Sequence, residues 1–141
     1  MSIVQPWLPG ARIVDLFAGS GALGLEALSR GAVSCEFVES SATSLVALRA
    51  NIAKLGAGDR VRIQQSEVLS YLGATVEGDF DVGFADPPYE QGLAPAVVEC
   101  WLNEPFATIL GVEHAVREAL PPSGDTRRYG TTAITFYGLH R

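Results

Sequence analysis

The sequence predicts an α/β fold: a mostly parallel central sheet flanked by helices, with an antiparallel hairpin at the C-terminal end. Three observations carry this. Apolar runs of strand length alternate with helix-forming segments, the pattern of strands joined by crossover helices. The first run ends in the glycine-rich turn Gly19-Ser-Gly21 and opens directly into a helix, which is how such a sheet holds a ligand at the carboxyl end of its first strand. The last two β-prone runs flank Gly130 and fold back on each other. The 141 residues suit one domain over residues 1–141, and 48% hydrophobic composition supplies a core.

The elements follow in order. Met1 to Gly10, with Pro6 and Pro9, reads as an irregular lead-in that leaves little to cover the sheet on that side. Strand 1 is Ala11 to Phe17, and Gly21 to Arg30 forms a helix stopped by Gly31. Strand 2 is Val33 to Val38. Ser40 or Ser41 can cap the helix Ala42 to Leu55, with Leu45, Leu48, Ile52 and Leu55 on one face. Strand 3 is Val61 to Gln65, Ser66 to Leu72 a short helix, and Gly73 to Asp79 a loop. Strand 4 is Phe80 to Ala85. The helix Gly92 to Leu102 turns Leu93, Val97, Val98 and Trp101 inward, and Thr108 to Val112 is strand 5. Leu120 to Asp125 is a Pro/Gly turn region. Arg127 to Tyr129 and Thr132 to Tyr137 pair as the closing hairpin.

The formal net charge of −6 and a pI near 4.8 argue against a stand-alone nucleic-acid binder, which would show a basic patch. An enzyme that grips nucleic acid through part of its surface is not excluded. Cys35 and Cys100 are far apart, show no metal-ligand spacing and read as two reduced thiols of a cytoplasmic protein; no metal is expected. No apolar run approaches the roughly 20 residues of a membrane span, and Met1 to Gly10 has no signal-peptide pattern.

Gly19-x-Gly21-x-x-Gly24 with Glu39 at the end of strand 2 fits two cofactors. An acid there can accept ribose hydroxyls of a dinucleotide or of S-adenosylmethionine. Asp15 favours the second. At the end of strand 1 its carboxylate can meet a ligand ammonium group but would oppose a pyrophosphate; alternatively it braces the loop by accepting backbone N–H groups. Asp86-Pro87-Pro88-Tyr89, straight after strand 4, decides the matter. A Pro-Pro pair ends a central strand and stiffens the backbone at the sheet's carboxyl edge. Asp86 and the Pro87 carbonyl can accept both hydrogens of a planar exocyclic amine and favour pyramidal nitrogen, exposing its lone pair. Tyr89 offers a ring for a base to stack on.

Asp15 to Arg30, Val38-Glu39, Ala85 to Tyr89, Arg128 to Thr131 and Ala133 to Tyr137 together resemble the bacterial 16S ribosomal RNA guanine-N2 methyltransferases, the RsmD family. The resemblance runs from Ile13 to the C-terminus. It implies a Rossmann-like class I methyltransferase sheet. It also implies S-adenosylmethionine contacts at Asp15, Phe17, Gly19, Gly21 and Glu39, and at Glu67 after strand 3, where the family often has Asp or Asn. Asp86, Pro87, Pro88 and Tyr89 are then the catalytic, amine-recognising set. The implied partner is 16S rRNA or the small-subunit particle, with no membrane and a monomeric chain. Family members carry an Arg- and Gly-rich N-terminal extension ahead of strand 1. It is missing here, which fits a truncated chain, a mis-called start codon or a diverged protein with weak RNA binding; Arg127 and Arg128 are the best remaining phosphate contacts. Glu113 and His114 read as structural or loop residues, and His140 has no assigned role. The competing readings are an adenine-N6 DNA methyltransferase, a catalytically silent cofactor-binding module and, disfavoured by Asp15 and Asp86 to Tyr89, an NAD-dependent oxidoreductase.

Overall fold

The computed structural model describes residues 1–74, 77–89 and 91–139; His140 and the centre of the loop after residue 73 lie outside them. The chain runs β1 (Arg12–Leu16), α1 (Ala22–Ser29), β2 (Ser34–Glu39), α2 (Ala42–Lys54), β3 (Val61–Gln65), α3 (Val68–Leu72), β4 (Phe80–Ala85), α4 (Leu93–Asn103), β5 (Ala107–Ala115), β6 (Asp125–Tyr129) and β7 (Thr132–Tyr137). Among the described residues these strands form a seven-stranded sheet in the order β3-β2-β1-β4-β5-β7-β6. The first five strands pair in parallel. β7 is inserted antiparallel between β5 and β6, so the C-terminal hairpin forms as expected and its second strand, not its first, pairs with β5.

Side-chain alternation divides the core between the two faces of the sheet. Ile13, Phe37, Val82 and Ile109 pack with Leu25, Leu28, Leu45 and Leu48 of α1 and α2. Val14, Leu16, Leu110 and Val112 pack with Val68, Val97 and Val98 of α3 and α4. Ser41 caps α2, its hydroxyl accepting from Ser44 N–H at 3.2 Å. α3 is tied to β2 by the Tyr71 hydroxyl, which donates to Glu36 at 2.5 Å.

Several elements differ from expectation for physical reasons. The lead-in is not irregular: Gln5–Trp7 form a 3-10 turn, and Val4 and Leu8 are fully buried against the α1/α2 face. These ten residues therefore cover part of the sheet that the sequence reading left bare. Leu55 is 62% exposed because α2 ends at Lys54, one residue before its apolar periodicity does. β5 runs to Ala115, three residues past the expected end, because β7 pairs with it as far as Ala115↔Thr132. That extension carries Glu113 and His114 on a strand rather than in a loop. His114 is buried. Its Nδ1 faces the carbonyl oxygens of Ala115 (2.9 Å) and Glu118 (3.1 Å), so this nitrogen donates. Nε2 then accepts from the Thr135 hydroxyl at 2.7 Å.

Candidate functional site

The sheet's strand order reverses between β1 and β4, the place where an open α/β sheet leaves a crevice at its carboxyl edge. The register pairs Leu16 with Ala85, which sets the glycine loop after β1 beside the Asp-Pro-Pro-Tyr segment after β4. Asp86 N–H reaches the Leu16 carbonyl at 3.4 Å, and Ala18 N–H donates to the Val38 carbonyl at 3.1 Å. The two loops and the end of β2 thus share one rim. A cleft of about 620 Å³ opens there, lined by Phe17, Glu39, Ser40, Glu67, Asp86, Pro87, Pro88, Tyr89, Gln91, Leu93 and Glu113. That volume suits a ligand of small-cofactor size.

The cofactor side is built from backbone. Phe17 has φ 58°, a conformation a bulky residue adopts only when its surroundings impose it. It turns the chain sharply out of β1 and onto the cleft wall. Gly19, at φ 58°, has open space where a side chain would stand. Its N–H donates to Glu39 Oε1 at 2.7 Å, and Ser41 N–H donates to Glu39 Oε2 at 2.9 Å. Glu39 therefore holds the glycine loop and the start of α2 to the end of β2 while facing the cleft. Glu67 sits exposed at the start of α3, on the same wall.

Asp15 and Gly21 lie beneath the cleft rather than on it. Gly21 begins α1 and has no side chain to cap it. Asp15 serves instead: its Oδ2 accepts from Gly24 N–H at 3.0 Å, satisfying a donor that the helix start leaves free. The bracing role considered for Asp15 is thus present in the structure. Asp15 is 2% exposed, and burial pushes its carboxyl up to about 8, with smaller contributions from Asp86 and Glu39, against the lowering effect of the Gly24 hydrogen bond. Gly24 is needed for contact: a Cβ there would lie 2.5 Å from Phe37 Cε1 and 2.6 Å from Cys35 Sγ. Its absence lets α1 press onto β2.

On the opposite wall, Asp86 is exposed to the cleft and Pro87 is buried. Burial and the neighbouring Glu113 carboxylate raise the Asp86 carboxyl above its ordinary range. Tyr89 does not hang free. Its hydroxyl lies 3.0 Å from Thr132 Oγ1 and donates to Glu113 Oε2 at 3.4 Å, which fixes the ring over the end of β5. Glu113 was missed as a cleft residue because its signal is a strand register, Ala85↔Val112, that places it beside Asp86. Arg127 and Arg128 stand apart from the cleft on exposed β6, with Arg127 paired to Asp125 at 3.1 Å. Among the described residues no His/Cys/Asp/Glu group has the arrangement of a metal site, and no helix is long and apolar enough to cross a membrane.

The family described as conserved hypothetical protein 95 matches residues 1–138. The Escherichia coli (strain K12) relative, named ribosomal RNA small subunit methyltransferase D, is 36% identical over 123 residues, covering 84% of this chain and 60% of that protein. The chain belongs to the RsmD family. YlbH of Bacillus subtilis (strain 168), a candidate rRNA methyltransferase by its name, is 32% identical over 148 residues, covering 96% of this chain and 80% of that protein. A solved Escherichia coli chain, the candidate methyltransferase yhhF, superposes with a TM-score of 0.82 at 31% identity, covering 96% of this chain and 79% of that one. Against the Escherichia coli protein, then, an RsmD-family chain of this length spans under two thirds of its relative. The same sheet recurs in an RNA methyltransferase from Salinibacter ruber solved with S-adenosyl-L-homocysteine, at a TM-score of 0.73 and 11% identity; it covers 96% of this chain and 86% of that one, and shows the fold alone. The expected fold class, a Rossmann-like class I methyltransferase, is thereby met.

Proposed function

We propose that this protein transfers a methyl group from S-adenosylmethionine to the exocyclic N2 amine of a guanine in 16S rRNA, free or in the small-subunit particle. One observation carries the reading: a single cleft joins Phe17, where the glycine loop begins, and Glu39 to the Asp86–Tyr89 segment, and among the described residues its lining holds four carboxylates and no Lys or Arg. Glu39 and Glu67, on the wall of the glycine loop, suit a ligand that carries ammonium and sulfonium charges. They would repel a pyrophosphate, which weighs against a dinucleotide. The cofactor fits the donor set on these grounds, with Phe17, Gly19 and Glu39 holding it directly and Asp15 and Gly21 shaping the turn beneath. When bound, it supplies an electrophilic methyl on sulfur.

The chain's own residues do the rest. Guanine N2 is a poor nucleophile because its lone pair is delocalised into the ring. Asp86 and the Pro87 carbonyl accept its two hydrogens and draw the nitrogen toward pyramidal geometry. Pro87 and Pro88 hold those acceptors rigidly, and positioning of this kind can supply roughly 7–11 kcal/mol. Tyr89, fixed through Thr132, gives the unstacked base a platform. As positive charge grows on nitrogen, the Asp86 carboxylate stabilises it, and the raised affinity of that carboxylate for a proton suits it to take the one N2 releases. The RNA backbone, repelled by the cleft, is gripped outside it, where Arg127 and Arg128 are candidates.

The test is methyl transfer from labelled donor to small-subunit particles lacking the modification, followed by digestion to nucleosides. N2-methylguanosine is the expected product. Asp86→Ala is expected to lower kcat at least 100-fold while calorimetric cofactor affinity stays within threefold. Undiminished turnover in Asp86→Ala, or label in adenine N6 of RNA or DNA, would refute the reading. Cofactor binding without transfer to any acceptor would favour the silent module.

A further inference from the structure

Glu113 is a cleft carboxylate that methyl transfer as described above leaves without a contact to the base. It stands one position beyond Val112, which pairs with Ala85, while Asp86 stands one position beyond Ala85. The two acids therefore project from neighbouring strand ends, where adjacent strands run about 4.8 Å apart. Both line the cleft, whose lining holds no Lys or Arg among the described residues. Its Oε2 accepts from the Tyr89 hydroxyl at 3.4 Å. A carboxylate has lone pairs on both oxygens, so that contact leaves room for a second donor. Tyr89 is the ring expected to stack on the target base, and its hydroxyl is held at Glu113 and Thr132 together. The plane of a stacked base is thereby fixed relative to the Glu113 carboxylate.

Purines differ at the edge such a pair would meet. Guanine presents the N2 amine beside an N1–H, two adjacent donor groups. Adenine and 2,6-diaminopurine present an amine beside an N1 lone pair, which a second carboxylate repels. We propose that Glu113 selects guanine, its carboxylate accepting guanine N1–H while Asp86 and the Pro87 carbonyl hold the N2 amine. The proposal rests on the guanine-N2 reading and assigns its base specificity to one side chain.

The probe is 2,6-diaminopurine, which keeps an N2 amine but has no hydrogen on N1. Small-subunit particles are assembled on 16S rRNA in which the methylated guanine, once mapped, is replaced by this base through splinted ligation. The wild-type protein is expected to prefer guanine by roughly 10- to 100-fold in kcat/KM, the effect of losing a hydrogen bond to a charged group. In Glu113→Gln the amide offers both a donor and an acceptor, so the preference is expected to collapse to within threefold. A cooperative urea transition at the wild-type m-value reports that the variant is folded. Should it fail to fold, the wild-type comparison of the two bases decides alone. Equal rates on the two bases in the wild type, or an undiminished preference in Glu113→Gln, would overturn the assignment while leaving guanine-N2 transfer in place. Absence of N2 methylation on either base would overturn both.

Discussion

Asp15→Asn gives the sharpest test of how the glycine turn is built. Asp15 is buried at the start of α1, and its carboxyl is pushed from 3.8 to about 8. An acid whose folded pKa is raised binds its proton more tightly in the native state than in the unfolded chain. Stability is then greatest at low pH and falls as pH rises from about 4 to about 8. At about 1.36 kcal/mol per unit, the full gap amounts to roughly 6 kcal/mol, of which about 4 kcal/mol falls between pH 5 and pH 9. Asn keeps an oxygen for Gly24 N–H and has no proton to lose. Urea unfolding of both proteins at pH 5, 7 and 9 reads the difference directly. Relative to the variant, the wild type is expected to lose about 4 kcal/mol across that range, whatever the two proteins' offset at pH 5. Parallel stability curves from pH 5 to pH 9 would refute the burial of a carboxyl whose desolvation outweighs its bond from Gly24 N–H.

Two further outcomes follow from packing and hydrogen bonding. Gly24→Ala drives a methyl into Phe37 and Cys35 and is expected to destabilise by about 1–3 kcal/mol, read as a lower urea midpoint at constant m-value; an unchanged midpoint would show that α1 can lift off β2 at no cost. Thr135→Val removes the hydroxyl that serves buried His114 Nε2 and Thr126 Oγ1, and is expected to cost about 1–3 kcal/mol in the same assay while leaving methyl-donor affinity untouched.

Much of this architecture was legible in the residues, and the parts that were not share a cause. Strand and helix periodicity placed the parallel strands and the helices between them, and Gly19-x-Gly21-x-x-Gly24 placed the loop, because both signals are local. Asp86 to Tyr89 was legible as the end of a strand at the sheet's carboxyl edge because Pro-Pro ends a strand wherever it stands. Glu113 was not, since its meaning lies in a pairing of β5 with β4 that no stretch of sequence displays. The same holds for Asp15, whose partner Gly24 is nine residues on and across a turn. The residues alone allowed Asp15 a ligand or a helix start, and the fold shows its bond to the helix start. Val4 and Leu8 were overlooked because two apolar residues on either side of Pro6 have no periodicity to read, yet both are buried.

The bond between Tyr89 and Thr132 spans 43 residues and reaches from the motif loop to the first residue of β7. β7 lies antiparallel between β5 and β6. The two walls of the cleft therefore differ in contact order. On one side β1, β2 and β3 pair within residues 12–65. On the other, Tyr89 is held by the last strand of the sheet, a long-range pairing of the kind that folds slowly.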